Sequence, residues 1–370
     1  MSLRLRLLTV AAGATALAAV PHRAVAWSAP THRAIEQLAL DSLPADFPAF
    51  TGAAAAHAEG AAAEKAKANR EEILFLAAEP DHWRSSRVAP FRHMTDKDHE
   101  IDLETLTAAG IDPAAVTPFY SDFLVQYAAG KAAHANLFPA PGDPAKDYNH
   151  LFEWPGALPW AVAADYGQLQ EYFSEWKTYR QYGTAAEAAT LEALIVEEMG
   201  IMGHYVGDSS QPLHVTVHHH GWDCFGWKAP NPNGYTTRGG IHDWIDGSPA
   251  QGGGFIGRAG ITAETLAPKM TPAAELSVAA RPDKRDPVFV AIMDFVIAQN
   301  KEVEPLYQLD KEGKFKADGT PGSLDGKPFI EGQILKGANL LGALWLTAWR
   351  QAGPDTYLQS ELVQRQAPKP

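Results

Sequence analysis

Eleven residues from position 204, "HYVGDSSQPLH", set two histidines and an aspartate around a helix end. His204 and Asp208 are spaced i, i+4, so a helix presents both on one face. Pro212 cannot continue that helix, and the turn through 209–211 can swing His214 back toward its end. A second i, i+4 pair, His242 and Asp246, follows in "GGIHDWID". Imidazole nitrogen and carboxylate oxygen are the donors zinc takes where cysteine is absent. A single pair at this spacing is also an ordinary surface hydrogen bond; two pairs joined by His214 point to metal.

More donors lie upstream. "EPDHWRSSRVAPFRHMTDKD" carries Asp81, His93 and Asp96 in what its prolines mark as an interrupted loop. Earlier, Arg4 and Arg6 precede an apolar run to Val20, and "AVA" at 24–26 offers small residues at the −3 and −1 positions. That is the pattern of a secretory signal peptide over residues 1–26, cleaved after Ala26. The run is short for a membrane span and no other stretch approaches one, so a secreted or periplasmic protein without stable membrane insertion is expected. Cleavage would leave Trp27 first and His32 close behind. A free α-amine, with a reference pKa of about 7.7–8.0, loses its proton easily and can chelate a metal with its own carbonyl oxygen. A core aromatic is the plain alternative for Trp27.

Positioning these donors falls to helices. Apolar residues make up 46% and charged residues 20% of the 370-residue chain, which allows a real core. Ala-rich, helically periodic segments dominate and alternating strands are scarce. The expectation is one all-α domain with long loops over 27–355, followed by a flexible tail at 356–370. Thr31 can cap a helix to about Leu40, and 52–78, 160–180, 285–308 and 331–351 read as helical. Thr184 is placed to cap a long helix. Its stripe Leu191, Leu194, Ile195, Met199, Met202, Tyr205 and Val206 keeps the spacing of a buried face. Loops are expected at 138–158 and 215–240. In the second, His218–His220 cannot all face one way and should be solvated, while Trp222, Phe225, Trp227 and Tyr235 should pack the loop down.

Losing Arg4, Arg6 and Arg23 with the leader would take the formal charge from −13 to −16. So acidic a chain does not hold nucleic acid by a general basic surface. A phosphate ester would need a local positive centre, which bound metal ions can supply. Cys224 is the only cysteine, so no intramolecular disulfide forms. A monomer is expected.

These motifs resemble the zinc-dependent single-strand-specific nuclease family of fungi, plants and bacteria, which shares a fold with bacterial zinc-dependent phospholipase C. Its members open the mature chain on Trp, carry His five positions later, contain H-x-x-x-D-x-x-Q-P-L-H and finish with H-x-x-x-D. Trp27 with His32, "HYVGDSSQPLH" and "HDWID" match. The resemblance implies three zinc ions. Asp81, His93, His204 and one oxygen of Asp208 would hold the first. The amine and carbonyl of Trp27, His32 and the other oxygen of Asp208 would hold the second, and His214, His242 and Asp246 the third. Asp208 and Asp81 would then act in catalysis as ligands of an ion pair that acidifies a shared water and clamps an in-line displacement at phosphorus. Arg84 stands where the family carries a Lys on the scissile phosphate, a role that a bidentate guanidinium suits; a solvated surface Arg is the alternative. Asp96, three after His93, matches a carboxylate that reads the base edge, or caps its own turn. Met94 stands where the family has a base-stacking aromatic.

The implied activity is a secreted phosphodiesterase acting on single-stranded DNA or RNA, with 3′-nucleotidase activity on nucleotides. Met94, the long segment between Asp96 and His204, and Gly240, Ile241 and Ile245 around the last motif depart from the pattern. A phospholipase C acting on phospholipid head groups is the first alternative, because the same metals hydrolyse either diester. That branch spaces its first histidine further from Trp and ends its last motif in Glu, and on both counts this chain sides with the nucleases. A metal-stabilised binding protein without catalysis is the second alternative, and the full ligand set argues against it.

Overall fold

The Thr184 cap forms where its position predicts. In the computed structural model its hydroxyl accepts from Glu187 N while the Glu187 carboxylate accepts from Thr184 N, satisfying two amides that the helix itself leaves open. The helix it starts, α8 (Ala185–Ser209), pairs with α7 (Leu158–Tyr182) as a hairpin turned at Gly183. Leu191, Ile195, Met199, Met202 and Val206 are buried along α8, and Val162, Leu169, Phe173 and Trp176 along α7. Each large apolar side chain so buried contributes roughly 1.5–3 kcal/mol.

Around this hairpin lie α1 (Ala29–Ser42), α2 (Gly60–Leu76) and α14 (Lys327–Gln351). Gly200 lets α2 come close to α8: a Cβ there would stand 2.8 Å from Ile73 O. The buried face of α14 runs Ile330, Ile334, Ala338, Leu341 and Trp345, the three-and-four spacing of its sequence. Shorter helices complete the body: α3 (Glu79–Arg84), α4 (Ala89–Asp96), α5 (Leu103–Ala108), α6 (Tyr120–Ala133), α9 (Ile241–Ile245), α10 (Gly254–Ala259) and α11 (Ala263–Leu266). The later segment adds α12 (Pro287–Asn300), α13 (Val303–Lys311) and α15 (Thr356–Gln366).

The structure describes residues 27–139, 154–223, 227 and 230–366. The leader expected at 1–26, most of the first expected loop, Cys224 and Phe225 lie outside them. Among the described residues there is no strand, only isolated bridges at Ile101–Gly156 and His219–Gly221. No helix among them is long and apolar enough to cross a membrane. The fold is all-α.

Four local expectations change. Helix α1 starts at Ala29 with Ser28 at its N-cap position, so Thr31 lies inside it and does not cap it. Pro80 and Pro90 open α3 and α4 instead of interrupting a loop, because proline's fixed φ suits a first helical turn. The stretch 285–308 is two helices, with Asp286 capping α12 through Phe289 N. The flexible tail expected at 356–370 is helical over Thr356–Gln366: α15 lies on α7, buries Leu362, and pairs Arg365 with Glu187 at 2.6 Å.

Candidate metal centre

The last turns of α8 put His204 and Asp208 on one face, both without solvent contact. Asp208 Oδ2 lies 2.9 Å from His99 Nδ1 and 3.3 Å from His204 Nε2, while Oδ1 lies 3.3 Å from His32 Nε2. The two carboxylate oxygens therefore face different imidazoles. His32, on the first turn of α1, stacks on His204 with ring centroids 4.0 Å apart. Gly207 makes room for it, since a Cβ there would stand 2.7 Å from His32 Nδ1. Donor atoms gather in three sets, His32–His204–Asp208, Asp81–His99–His204 and His214–His242–Asp246, each within 4.8 Å of one another.

Surrounding groups fix how these donors point. His204 Nδ1 donates to Ala77 O at 2.7 Å and His214 Nδ1 to His99 O at 2.6 Å, which turns each Nε2 inward. Gln211 Nε2 donates to Asp246 Oδ1, and Gln211 Oε1 accepts from Leu213 N at 3.1 Å. The Trp27 indole, fully buried, donates to Gly207 O at 3.0 Å and Ser210 Oγ at 3.1 Å. Ser28 N donates to Asp246 O at 3.0 Å. The start of the described chain is thereby tied to both motifs.

Buried atoms left without a hydrogen-bond partner concentrate here: both ring nitrogens of His32 and His242, His214 Nε2, and one oxygen each of Asp81, Asp208 and Asp246. Leaving such groups unsatisfied costs on the order of 1–3 kcal/mol each, and bound divalent cations would satisfy them together. The shifts of four histidines and of Asp208 agree with that fit, while those of His204 and Asp246 run against it. Burial lowers the pKa of His32, His214 and His242, and takes His99 to about 4, so each imidazole is held in its neutral, metal-binding form. For His204 burial also lowers, but the Asp208 carboxylate outweighs it and the net shift is upward. Burial raises Asp208, yet His204 and His214 overcome it and hold that carboxyl well below the usual range. Burial pushes Asp246 well above its ordinary value.

The residues around Asp81 differ from expectation. His93 is exposed on α4, and the donor beside Asp81 and His204 is His99. The helix continues to Asp96, carrying His93 outward; the turn Lys97–His99 then reverses the chain and delivers His99 against Tyr205 and His204. A sequence signal existed in Ile101, an apolar residue two after His99 in a polar run, fully buried with its N–H donating to His214 O. Asp96 is not a solvated loop carboxylate: it lies 4% exposed beneath Arg84 at 3.4 Å and Arg92 at 3.6 Å. Arg84 also reaches Asp81 at 3.9 Å, and its Nη1 is buried without a hydrogen-bond partner. Met94 is 71% exposed and joins Val88 and Phe91 in an outward apolar ridge.

The histidine run is also not solvated. His218 and His219 are buried; His218 stacks on Trp222 at 4.1 Å and donates through Nδ1 to its carbonyl. His220 stands 5.7 Å from His242, and burial lowers its pKa to about 3. Trp222 and Tyr235 pack down as expected, and Glu104 pins the loop through Thr216 Oγ1 and Val217 N. No protein-family model matches this chain, and neither a curated protein nor a solved structure matches it.

Proposed function

We propose that this chain is a zinc-dependent phosphodiesterase hydrolysing single-stranded nucleic acid, with 3′-nucleotidase activity on nucleotides. The supporting observation is the convergence of His32, Asp81, His99, His204, Asp208, His214, His242 and Asp246 into three adjoining donor sets, each holding buried atoms without a hydrogen-bond partner. Nitrogen and oxygen donors without sulfur suit zinc. When bound, the ions would acidify water and draw charge from phosphoryl oxygens.

The chain's own residues do the rest. Asp208 joins two donor sets through separate oxygens. Arg84, oriented by Asp81 and Asp96, offers a guanidinium that can grip a phosphate bidentately. Counted from His99, the base-edge carboxylate of the family resemblance moves from Asp96 to Asp102, whose buried Oδ1 lies 3.6 Å from His219 Nδ1. The position after His99 is Glu100, paired with Lys97, so no ring is offered there for base stacking. On the same reading a leader ends at Ala26, Trp27 supplies its freed amine to the His32 set, and the enzyme works as a secreted or periplasmic monomer.

The exposed ridge Val88, Phe91 and Met94 favours one other substrate, a phospholipid head group presented at a lipid surface. Metal analysis and paired assays decide. Close to three zinc ions per chain are expected, one per donor set, with hydrolysis of single-stranded DNA and RNA. Cleavage of phosphatidylcholine alone would move the assignment to the lipid, and zinc at one ion or none without either activity would sink both.

A further inference from the structure

Val88, Phe91 and Met94 recur at three-residue spacing from the N-cap of α4 along one side of it, and are 61%, 42% and 71% exposed. The other side of the helix is closed: Thr95 and Asp96 are buried, and Arg92 turns in to Asp96 at 3.6 Å. From the neighbouring α3 the half-buried Trp83 props the ridge, its ring 6.2 Å from that of Phe91. The charge around the ridge is unlike that of the rest of the chain. Residues 82–95 hold Arg84, Arg87 and Arg92 and no carboxylate, in a protein of net charge −13. Arg84 and Arg92 face inward to Asp81 and Asp96, while Arg87 is exposed beside Val88. Other bare apolar side chains have acidic company: Phe75, Phe119, Val125 and Tyr357 each have an exposed Asp or Glu within four residues.

We propose that this ridge seats the protein on an anionic lipid surface, with Val88, Phe91 and Met94 entering the headgroup–acyl boundary and Arg87 meeting lipid phosphates. Aliphatic side chains gain by leaving water for hydrocarbon and offer a base no ring to stack on, so the ridge suits acyl chains better than a nucleic-acid strand. An anionic bilayer repels an acidic protein least where acids are missing, so charge selects the same face as the apolar side chains. Attachment is peripheral, since no helix among the described residues is long and apolar enough to cross a membrane. Arg84, three residues before Arg87, reaches Asp81 of the candidate metal centre, so docking holds that centre close to the bilayer. The ridge lies outside the donor sets, and the attachment holds for either substrate proposed above.

The test is co-sedimentation of the full chain, zinc-replete, with vesicles of phosphatidylcholine alone or mixed with phosphatidylglycerol. Zinc content and hydrolysis of single-stranded DNA are read on the same preparations. All variants share residues 1–26 with the wild type, so any contribution of that apolar run cancels. The wild type should bind the mixed vesicles, and the neutral ones more weakly. Val88→Gln combined with Phe91→Gln should lower binding to both by about tenfold or more. Arg87→Gln should lower binding to the mixed vesicles by about fivefold and leave the neutral ones unchanged. Tyr357→Gln, at a bare residue with acids nearby, should change neither. No vesicle binding by the wild type overturns the proposal, and that result needs no variant to fold. Undiminished binding by the double variant at wild-type zinc content also overturns it, as does an equal loss in Tyr357→Gln. Self-association in place of vesicle binding, abolished in the double variant, would assign the ridge to a second copy instead. Binding of a single-stranded oligonucleotide in place of vesicles, lost in the same variant, would assign it to the strand. Because binding is read apart from hydrolysis, failure here leaves the phosphodiesterase reading intact.

Discussion

Helix α8 passes through two groups of buried polar side chains, Glu198 midway and His204 with Asp208 nearly two turns further on. At its end imidazoles predominate, and burial keeps most of them neutral with a lone pair ready for a cation. Midway there are only oxygens, and the same burial pushes the carboxyls of Glu198 and Asp165 toward their protonated form. Burial favours the uncharged state in both places. For a histidine that state is a ligand; for a carboxyl it is a poor one. The two groups should therefore differ in response to acid and in what their loss removes.

Asp208→Asn should have the largest effect. It disturbs two donor sets at once, so activity should fall well beyond the roughly 10–100-fold typical of losing an outer hydrogen-bond partner, with more than one zinc ion missing by metal analysis. The contrast between the two groups breaks if Glu198→Gln strips zinc equally. Next, His99→Ala should lose metal and activity while His93→Ala retains both; equal zinc in the two variants would return the donor role to His93. Gln211→Ala, which frees Asp246 Oδ1, should weaken the third set by roughly 10–100-fold, visible as zinc lost first on dilution into a chelator.

The smallest effect is in pH dependence, and its sign differs between the groups. With zinc bound as proposed, acid would protonate the imidazoles and release it, so zinc-linked stability should be lost as pH falls. Glu198 and Asp98 have folded pKa values of about 7, above their ordinary values, so the folded state binds more protons than the unfolded one. Their contribution is greatest below the ordinary carboxylate pKa and declines as pH rises toward about 7. Thermal unfolding with zinc in excess and no other divalent cation should show a shallower decline over about pH 5–7 in Glu198→Gln than in wild type. Parallel curves would count against the buried acid group.

The legible parts were the local ones. α8 and α14 could be placed because their apolar spacing is periodic within one segment, and His204, Asp208, His242 and Asp246 because i, i+4 pairs need only a helix. His99 was not legible: choosing it over His93 depends on where α4 stops and how Lys97–His99 turns, which packing against α8 decides. The helicity of 356–366 depends likewise on a distant partner, Glu187. Glu198 stood in plain view as a charge at a stripe position, but the carboxyl its charge acts on, Asp165, comes from the facing helix.

The Trp27 indole has a consequence in time. It ends up with no solvent contact, bonded to Gly207 and Ser210 at the far end of α8. With the leader proposed above, a peptidase must cut the bond just ahead of a residue that the finished fold hides. The cut therefore precedes docking, and docking precedes a complete His32 set. A chain still carrying its leader would be unable to assemble that set, so hydrolysis would begin only after export.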